Sequence, residues 1–230
     1  AGVEHAAAGG AAVNQICAAH DLGLKIFDLA LHLPVGNIAV EPALDERGCA
    51  ATMAFGMEAV AGGIDLACVA GVGAGGNVSA AAIMAALYGG EPAQWASDEE
   101  GAQIVAAALA HHGANLKDPL EALRRLGGRE IAAMAGAILA ARMEKIPVVL
   151  DGYASLAAAA VLKAMEPTAI DHCILSHISV EPGMALAAKK MGLVPLLYLH
   201  LGDGEGMAAA LAADLIKNAA LIHSGMVIRG

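Results

Sequence analysis

The stretch IDLACVAGVGAGGNVSAAAIMAALY, residues 64–88, decides the class of fold. It opens with a run at residues 64–70 that is apolar apart from Asp65, as expected of a strand that is buried on both faces of a parallel sheet. A glycine-rich segment follows, and residues 79–88 then have the composition of a helix. Residues 66–88 carry no charge and are long enough to cross a bilayer, but the glycines in their middle favour a strand, a turn and a helix.

The same alternation of short apolar strands and helices continues along the chain. We predict further strands at residues 24–30, 148–151, 172–176 and 196–200, and helices at residues 10–20, 42–60, 99–111, 129–145, 155–165, 182–191 and 205–221. A shorter helix is predicted to begin at Pro119, with Asp118 as its N-cap. This rhythm predicts an α/β fold, with a doubly wound, mostly parallel sheet flanked by helices and a small helical appendage. We expect residues 1–230 to form a single domain, with the terminal helices in a small helical subdomain.

Composition restricts the class of partner. Hydrophobic residues make up 58% of the chain and charged residues 16%, so most elements must be covered on more than one face. A formal net charge of −10 disfavours nucleic acid as a partner. The four cysteines, Cys17, Cys49, Cys68 and Cys173, are far apart in apolar surroundings, which predicts buried free thiols. We therefore expect a cytoplasmic protein that has no membrane partner.

In a sheet of this kind, ligands bind beyond the carboxyl ends of the strands. The residues that follow four of the predicted strands are therefore the candidate ligand-binding residues. They are Gly71, Gly73, Gly75, Gly76, Asn77 and Ser79, then Asp151 and Gly152, then Ser176 and His177, and finally Gly202 and Gly204.

The first glycine loop has the spacing GxGxxG at Gly71, Gly73 and Gly76, between a strand and a helix. One interpretation is a dinucleotide site, which needs an acid at the end of the next strand; Glu91 has roughly that spacing but lies in a predicted loop. A more general interpretation is that backbone N–H groups and the helix start hold a phosphate. The remaining interpretation is a tight turn that only packing requires.

The second glycine loop, Gly202-Asp203-Gly204-Glu205-Gly206, places two carboxylates within three residues. A carboxylate at a strand end beside an apolar pocket is suited to accept a proton, so Asp203 and Glu205 are the candidate catalytic residues. Alternatively, Asp203 caps the following helix and Glu205 lies in its first turn. We expect no metal site, because His172 and His177 fall on opposite faces of a strand and neither CxxC nor HExxH occurs.

Four long stretches resemble one enzyme family. They are GGAAVNQICAAHDLGLKIFDLAL (9–31), VEPALDERGCAATMAFGMEAVAGGIDL (40–66), DPLEALRRLGGREIAAMAGAILAARMEKIPVVLDGY (118–153) and DHCILSHISVEPG (171–183). In these stretches the chain is similar to the nicotinate-nucleotide:dimethylbenzimidazole phosphoribosyltransferases, which make the lower ligand of cobalamin. The resemblance extends over nearly the whole chain.

The resemblance implies a specific reaction. The family transfers a phosphoribosyl group from nicotinate mononucleotide to a benzimidazole nitrogen, which gives α-ribazole 5′-phosphate and nicotinate with inversion at the anomeric carbon. It implies a homodimer with no metal or organic cofactor, and an apolar slot for dimethylbenzimidazole or a related azole base. A glutamate in the loop after the last strand is the family's general base. The family pattern Leu-Gly-Glu-Gly, laid on Leu201-Gly202-Asp203-Gly204, places Asp203 at that position.

The chain departs from the family pattern at several points. Asp203 is one methylene shorter than glutamate, and Glu205 is the nearby substitute. The family's Gly-Glu in the first loop corresponds to Ala70-Gly71, so that acid is missing, while Asn77, Val78 and Ser79 correspond to its Asn-Thr-Thr. Family members also carry a further upstream segment. The leading hypothesis is therefore the transferase reaction, weakened by these substitutions. The alternatives are an impaired paralogue that binds a nucleotide or azole base without turnover, and a nicotinamide-dependent oxidoreductase.

Overall fold

The computed structural model describes residues 2–72, 75–202 and 205–226. The strands among these residues form one parallel sheet, in which their order follows the order of the chain. They are β1 (Ala67–Ala70), β2 (Val148–Asp151), β3 (Cys173–His177) and β4 (Pro195–Leu197). Ala70 of β1 pairs with Asp151 of β2, so the carboxyl ends of these strands meet at one edge of the sheet.

The helices of the described residues surround this sheet. They are α1 (Gly2–Ala7), α2 (Ala12–Ala19), α3 (Glu46–Met57), α4 (Gly76–Tyr88), α5 (Glu99–His112), α6 (Pro119–Leu126), α7 (Arg129–Glu144), α8 (Tyr153–Met165), α9 (Pro182–Met191) and α10 (Met207–Gly225). The predicted start of α6 is confirmed, because the Asp118 carboxylate accepts a hydrogen bond from the Leu120 N–H and Pro119 is the first helical residue.

Helices cover the sheet on both faces, and the alternation of side chains along β2 shows how. Val148 and Leu150 belong to the main core, which also contains the buried alanines and leucines of α8. Val149 points to the other face, where it packs with Ala209 and Ala212 of α10. Every residue of β2 is buried, as a continuous apolar strand in a parallel sheet requires.

Glycine allows α3 and α7 to pack closely. A Cβ added to Gly56 of α3 would overlap the carbonyl oxygen of Ala133, and one added to Gly136 of α7 would overlap the carbonyl oxygen of Met53. Side chains at either position would therefore force the two helices apart. On the other side of the sheet, α2 packs on α10 through a small cluster of Val13, Cys17 and Ala210.

The α/β class with a parallel sheet flanked by helices is confirmed, but two details differ from the prediction. The strand predicted at residues 24–30 is wrong, because this segment has no regular secondary structure. Phe27 of this segment instead packs edge-to-face on Phe55, with 5.8 Å between the two ring centroids. The strand order also shows no reversal among the described strands, so the winding of a strict doubly wound sheet is not found there.

The uncharged stretch at residues 66–88 contains the predicted strand, β1, and the predicted helix, α4. In the described part of the chain, no helix combines the length and apolarity that crossing a membrane demands. The four cysteines are unpaired thiols. Cys17, Cys49 and Cys173 are buried as predicted, but Cys68 is exposed because it lies on β1, an outer strand of the sheet.

Candidate active site

A cavity of about 100 Å³ lies at the carboxyl ends of β1 and β2. It is formed by the first glycine loop, the starts of α7 and α8, and the loop before α10. Its lining residues are Gly71, Val72, Gly76, Asn77, Glu130, Asp151, Gly152, Tyr153, Ala154 and Glu205. Three of these are carboxylic acids from three different elements, so the cavity is strongly acidic.

The glycine loop turns sharply into α4. Gly75 is the N-cap of α4 and has φ +81°, a left-handed conformation that favours glycine. Gly76 is buried, and a Cβ added to it would overlap Oε1 of Glu130. Glu130, the second residue of α7, therefore lies directly against the start of α4. The glycine at position 76 provides the space for this carboxylate.

Three fully buried polar residues, Asp151 of the cavity lining and its neighbours Ser176 and His177, lie at the ends of β2 and β3. Oδ1 of Asp151 is 3.5 Å from Nδ1 of His177, and the Ser176 hydroxyl donates to the same Oδ1 at 3.4 Å. The other oxygen of Asp151, Oδ2, accepts a hydrogen bond of 3.0 Å from the Ala209 N–H of α10. Nε2 of His177 is 3.3 Å from the carbonyl oxygen of Gly202. The cluster therefore connects the sheet to both sides of the second glycine loop.

A second polar network connects the first glycine loop to α9. Nδ2 of Asn77 donates to Oε1 of Glu181 at 2.9 Å, and the Ser97 hydroxyl donates to Oε2 of the same carboxylate. Glu181 is the N-cap residue of α9. Near this network the Tyr153 hydroxyl donates to the carbonyl oxygen of Trp95 at 3.3 Å. Burial, and to a lesser extent the Glu181 carboxylate, raises the pKa of Tyr153, so its hydroxyl remains protonated.

Glu205 enters the cavity from the loop before α10. Its backbone has φ +49°, and the N-cap of α10, Gly206, follows with φ +84°. The left-handed conformation costs a residue with a side chain roughly 1–2 kcal/mol. Such cost is tolerated where the surrounding structure fixes the backbone, commonly at functional sites. Here the anchors at Gly202 and Ala209 supply that constraint.

Comparison with known proteins identifies the family. A family model described as "Phosphoribosyltransferase" matches residues 1–229. The nicotinate-nucleotide–dimethylbenzimidazole phosphoribosyltransferase of Allorhizobium ampelinum is 60% identical over 97% of this chain and 68% of its own length. The protein of that name from Sinorhizobium medicae is 58% identical, with 97% and 69% covered.

The chain belongs to the nicotinate-nucleotide–dimethylbenzimidazole phosphoribosyltransferase family. The solved structure of the family member from Thermus thermophilus superposes with a TM-score of 0.88 at 34% identity, over 96% of this chain and 73% of that one. A second structure, titled CobT from the same organism, gives a TM-score of 0.87 at 33% identity. The family predicted from the sequence is confirmed.

About half of the site residues predicted from the sequence line the cavity. Gly71, Gly76, Asn77, Asp151, Gly152 and Glu205 line the cavity. Ser176, His177 and Gly202 are not among the lining residues and are connected to Asp151 by hydrogen bonds and the His177 contact. The Ser79 hydroxyl donates instead to the carbonyl oxygen of Gly127 at 3.3 Å. Gly73, Asp203 and Gly204 lie outside the described residues.

Glu130 and Glu181 were not predicted from the sequence as site residues, although both lie in stretches that resemble the family. Glu130 stands in the first turn of α7 and Glu181 immediately before α9, positions where an acid is ordinarily explained by the helix start. The packing of α7 and α9 around α4 brings Glu130 against Gly76 and Glu181 against Asn77. These contacts are visible only in the structure. A Gly-Gly pair before Glu130 and the Glu-Pro-Gly sequence at 181–183 are the signals that the sequence contains.

The described residues contain no group of three His, Cys, Asp or Glu side chains that could hold a metal ion. The two histidines considered for such a site have separate backbone partners at opposite ends of β3. Nε2 of His172 is 3.0 Å from the carbonyl oxygen of Ile138, and Nε2 of His177 faces Gly202.

Proposed function

We propose that this protein transfers the phosphoribosyl group of nicotinate mononucleotide to 5,6-dimethylbenzimidazole, giving α-ribazole 5′-phosphate and nicotinate for cobalamin synthesis. The observation that carries the proposal is the 60% identity over 97% of the chain to a relative named for these two substrates. The position of the acidic cavity, beyond the carboxyl ends of parallel strands, supports it. The protein is thus a pentosyltransferase.

The reaction exchanges one bond at C1′ of the ribose for another. The bond from C1′ to the pyridinium nitrogen breaks, and its electron pair remains on nicotinate. A lone pair of the benzimidazole forms the new bond on the opposite face of C1′. The proton on the other ring nitrogen is transferred to a general base. C1′ gains positive charge while the first bond breaks, as in glycosyl transfer generally.

The acidic lining is suited to this distribution of charge. Glu130, Asp151 and Glu205 place carboxylates around the cavity. Fixed negative groups stabilise a positive charge that develops beside them, and they do so most effectively where water is excluded. The same groups favour the cationic pyridinium ring of the substrate. The phosphate, which these acids repel, needs backbone N–H donors at a distance from them.

We assign the role of general base to Glu205. Its side chain lines the cavity at the carboxyl ends of β1 and β2. Gly204-Glu205-Gly206 also repeats the Gly-Glu-Gly order of the family's base, two residues downstream of the aligned position. Glutamate reaches one methylene farther than aspartate, and proton transfer depends first on that reach.

One observation favours a second candidate, a paralogue that binds the nucleotide or an azole base without turnover. The position that carries an acid in the family's first glycine loop has none here, since the sequence reads Ala70-Gly71-Val72. Glu130 supplies a carboxylate against that same loop, and for this reason we favour the active enzyme.

We further propose a cytoplasmic homodimer. Unpaired thiols are typical of a reducing compartment, and the exposed contact of Phe27 with Phe55 provides apolar surface for a second copy. Sedimentation of the purified protein tests the dimer.

A chromatographic assay tests the function. Wild-type protein with both substrates should form α-ribazole 5′-phosphate, and Glu205→Gln should lower kcat by roughly 100-fold or more because the proton acceptor is lost. Asp203→Asn is the matched comparison in the same loop and should retain most activity, as should Glu99→Gln at the exposed start of α5. A larger loss in Asp203→Asn than in Glu205→Gln would assign the base to Asp203. Absence of turnover in the wild type, with a melting temperature raised by either substrate, would indicate the binding paralogue.

A further inference from the structure

The carboxylate of Glu181 joins two segments that are distant in the sequence. One oxygen accepts from Nδ2 of Asn77, at the start of α4, and the other accepts from the hydroxyl of Ser97, before α5. Asn77 lines the cavity, while Glu181 stands outside its lining. Glu181 therefore reaches the site through Asn77.

The chemistry of these groups fixes the orientation of the Asn77 amide. An ionised carboxylate has no hydrogen to donate, so a neighbouring amide must present its NH₂ group to it. The Ser97 hydroxyl donates to the second oxygen, so the two oxygens of Glu181 each meet a donor. Turning the amide over would bring Oδ1 of Asn77 against a carboxylate oxygen, and two acceptors in contact are unfavourable. Asn77 is thereby held with one orientation, in which Nδ2 gives one hydrogen to Glu181 and Oδ1 is turned away from that carboxylate and can accept from a ligand.

We propose that Glu181 is a positioning residue that holds Oδ1 of Asn77 toward the cavity, where it accepts a hydrogen bond from a ribose hydroxyl of the nucleotide. This inference rests on the proposed function, because it takes a phosphoribosyl nucleotide as the ligand. It gives Asn77 the role of an acceptor, whereas an asparagine on a glycine loop that binds phosphate would have to donate.

The groups of the nucleotide decide which part of it meets this acceptor. The phosphate and the carboxylate of nicotinate mononucleotide are acceptors, and only the ribose hydroxyls can donate. Glu130 and Asp151 belong to the same lining as Asn77, and their carboxylates also accept. The part of the lining formed by Asn77, Glu130 and Asp151 therefore suits the ribose hydroxyls, and the phosphate lies elsewhere.

The proposal is tested by exchanging the amide of Asn77 and the carboxylate of Glu181 between the two positions. Asn77→Asp alone places two carboxylates together and should raise KM and Kd for nicotinate mononucleotide roughly tenfold, with a smaller change in kcat. In Asn77→Asp/Glu181→Gln the glutamine NH₂ donates to the aspartate, its oxygen accepts from Ser97, and one aspartate oxygen still faces the cavity. The double variant should therefore recover wild-type KM and Kd to within about threefold.

The control is Glu144→Gln, which removes a carboxylate at the exposed end of α7, outside the cavity lining, and should leave KM and Kd unchanged. Melting temperatures identify any variant that fails to fold. A folded double variant that stays as weak as Asn77→Asp would overturn the proposal, since it would mean that the substrate needs the Asn77 NH₂ group. If the wild type binds the nucleotide without turnover, the proposed function fails, but the Kd values from calorimetry still decide the role of Asn77. A wild type that binds no nucleotide would overturn both.

Discussion

His177 and Asp151 form a buried pair at the ends of β3 and β2, with Nδ1 of the histidine 3.5 Å from Oδ1 of the aspartate. Each residue also binds the backbone on one side of the second glycine loop. The carbonyl oxygen of Gly202 can only accept, so His177 must donate to it through Nε2. Asp151 accepts from the Ala209 N–H on the other side. The pair thus fixes both ends of the segment that carries Glu205.

Replacement of His177 should reduce catalysis through the position of this loop. In His177→Ala the anchor at Gly202 is lost, and we expect kcat to fall roughly 10- to 100-fold because the base is misplaced. The buried Asp151 loses a partner, so the free energy of unfolding should fall by about 3 kcal/mol. Steady-state kinetics and urea denaturation measure the two effects.

His172→Ala is the matched control for this prediction. It removes a histidine from the same strand region that also faces a backbone carbonyl, that of Ile138 at 3.0 Å, but at the end of the sheet remote from the cavity. We expect lower stability and unchanged kcat. Equal losses of kcat in the two variants would show that His177 acts through general stability alone.

Much of the fold could be predicted because its signals are local. Asp118 and Pro119 specify the start of α6 within a few residues, and the apolar run of β2 is bounded by Pro147 and Gly152. The segment at residues 24–30 has a similar apolar composition, but a strand also needs a neighbour to pair with. Whether a neighbouring strand is present depends on the whole fold and cannot be predicted from the segment itself. In the structure this segment pairs with no strand, and Phe27 packs on Phe55.

The site could be predicted only in part for the same reason. Asp151 and Glu205 follow strands, so the rule for ligands at strand ends finds them. Glu130 and Glu181 each begin a helix, where the helix dipole already explains an acid. Their contacts with Gly76 and Asn77 depend on how α7 and α9 pack around α4, which no local pattern encodes.

Gly76 should be intolerant of a side chain because of Glu130. In Gly76→Ala the new Cβ overlaps Oε1 of Glu130, so the carboxylate must move away from the cavity or α4 must shift. We expect kcat/KM for nicotinate mononucleotide to fall roughly tenfold or more, while stability falls by about 1–3 kcal/mol. Gly113→Ala is the control, because its Cβ meets no atom within 4 Å. Full activity in Gly76→Ala would contradict the assignment of Glu130 to the site.

Glu121 organises a charged cluster on α6, away from the cavity. Its carboxylate accepts from Nε and Nη2 of Arg124 at 2.8 Å and from Nε of Arg125 at 2.7 Å. Arg124 also donates to the carbonyl oxygen of Leu44, which attaches α6 to the segment before α3. Hydrogen bonds from Arg124, and then from Arg125, lower the pKa of Glu121 from 4.5 to about 2.

This lowered pKa predicts a pH dependence of stability with a definite sign. The folded state binds a proton at Glu121 less readily than the unfolded state, so the contribution is complete above pH 4.5 and is lost as pH falls toward 2. Glu121→Gln should lower the free energy of unfolding above pH 4.5, and the difference from the wild type should shrink in acid. Since the carboxylate is partly exposed to solvent, we expect a difference of no more than about 1 kcal/mol. Urea denaturation across this range measures it, with Glu144→Gln, at the exposed end of α7, as the control. A difference that stays constant down to the lowest pH at which the protein folds would show that Glu121 stabilises α6 by packing and not by its charge.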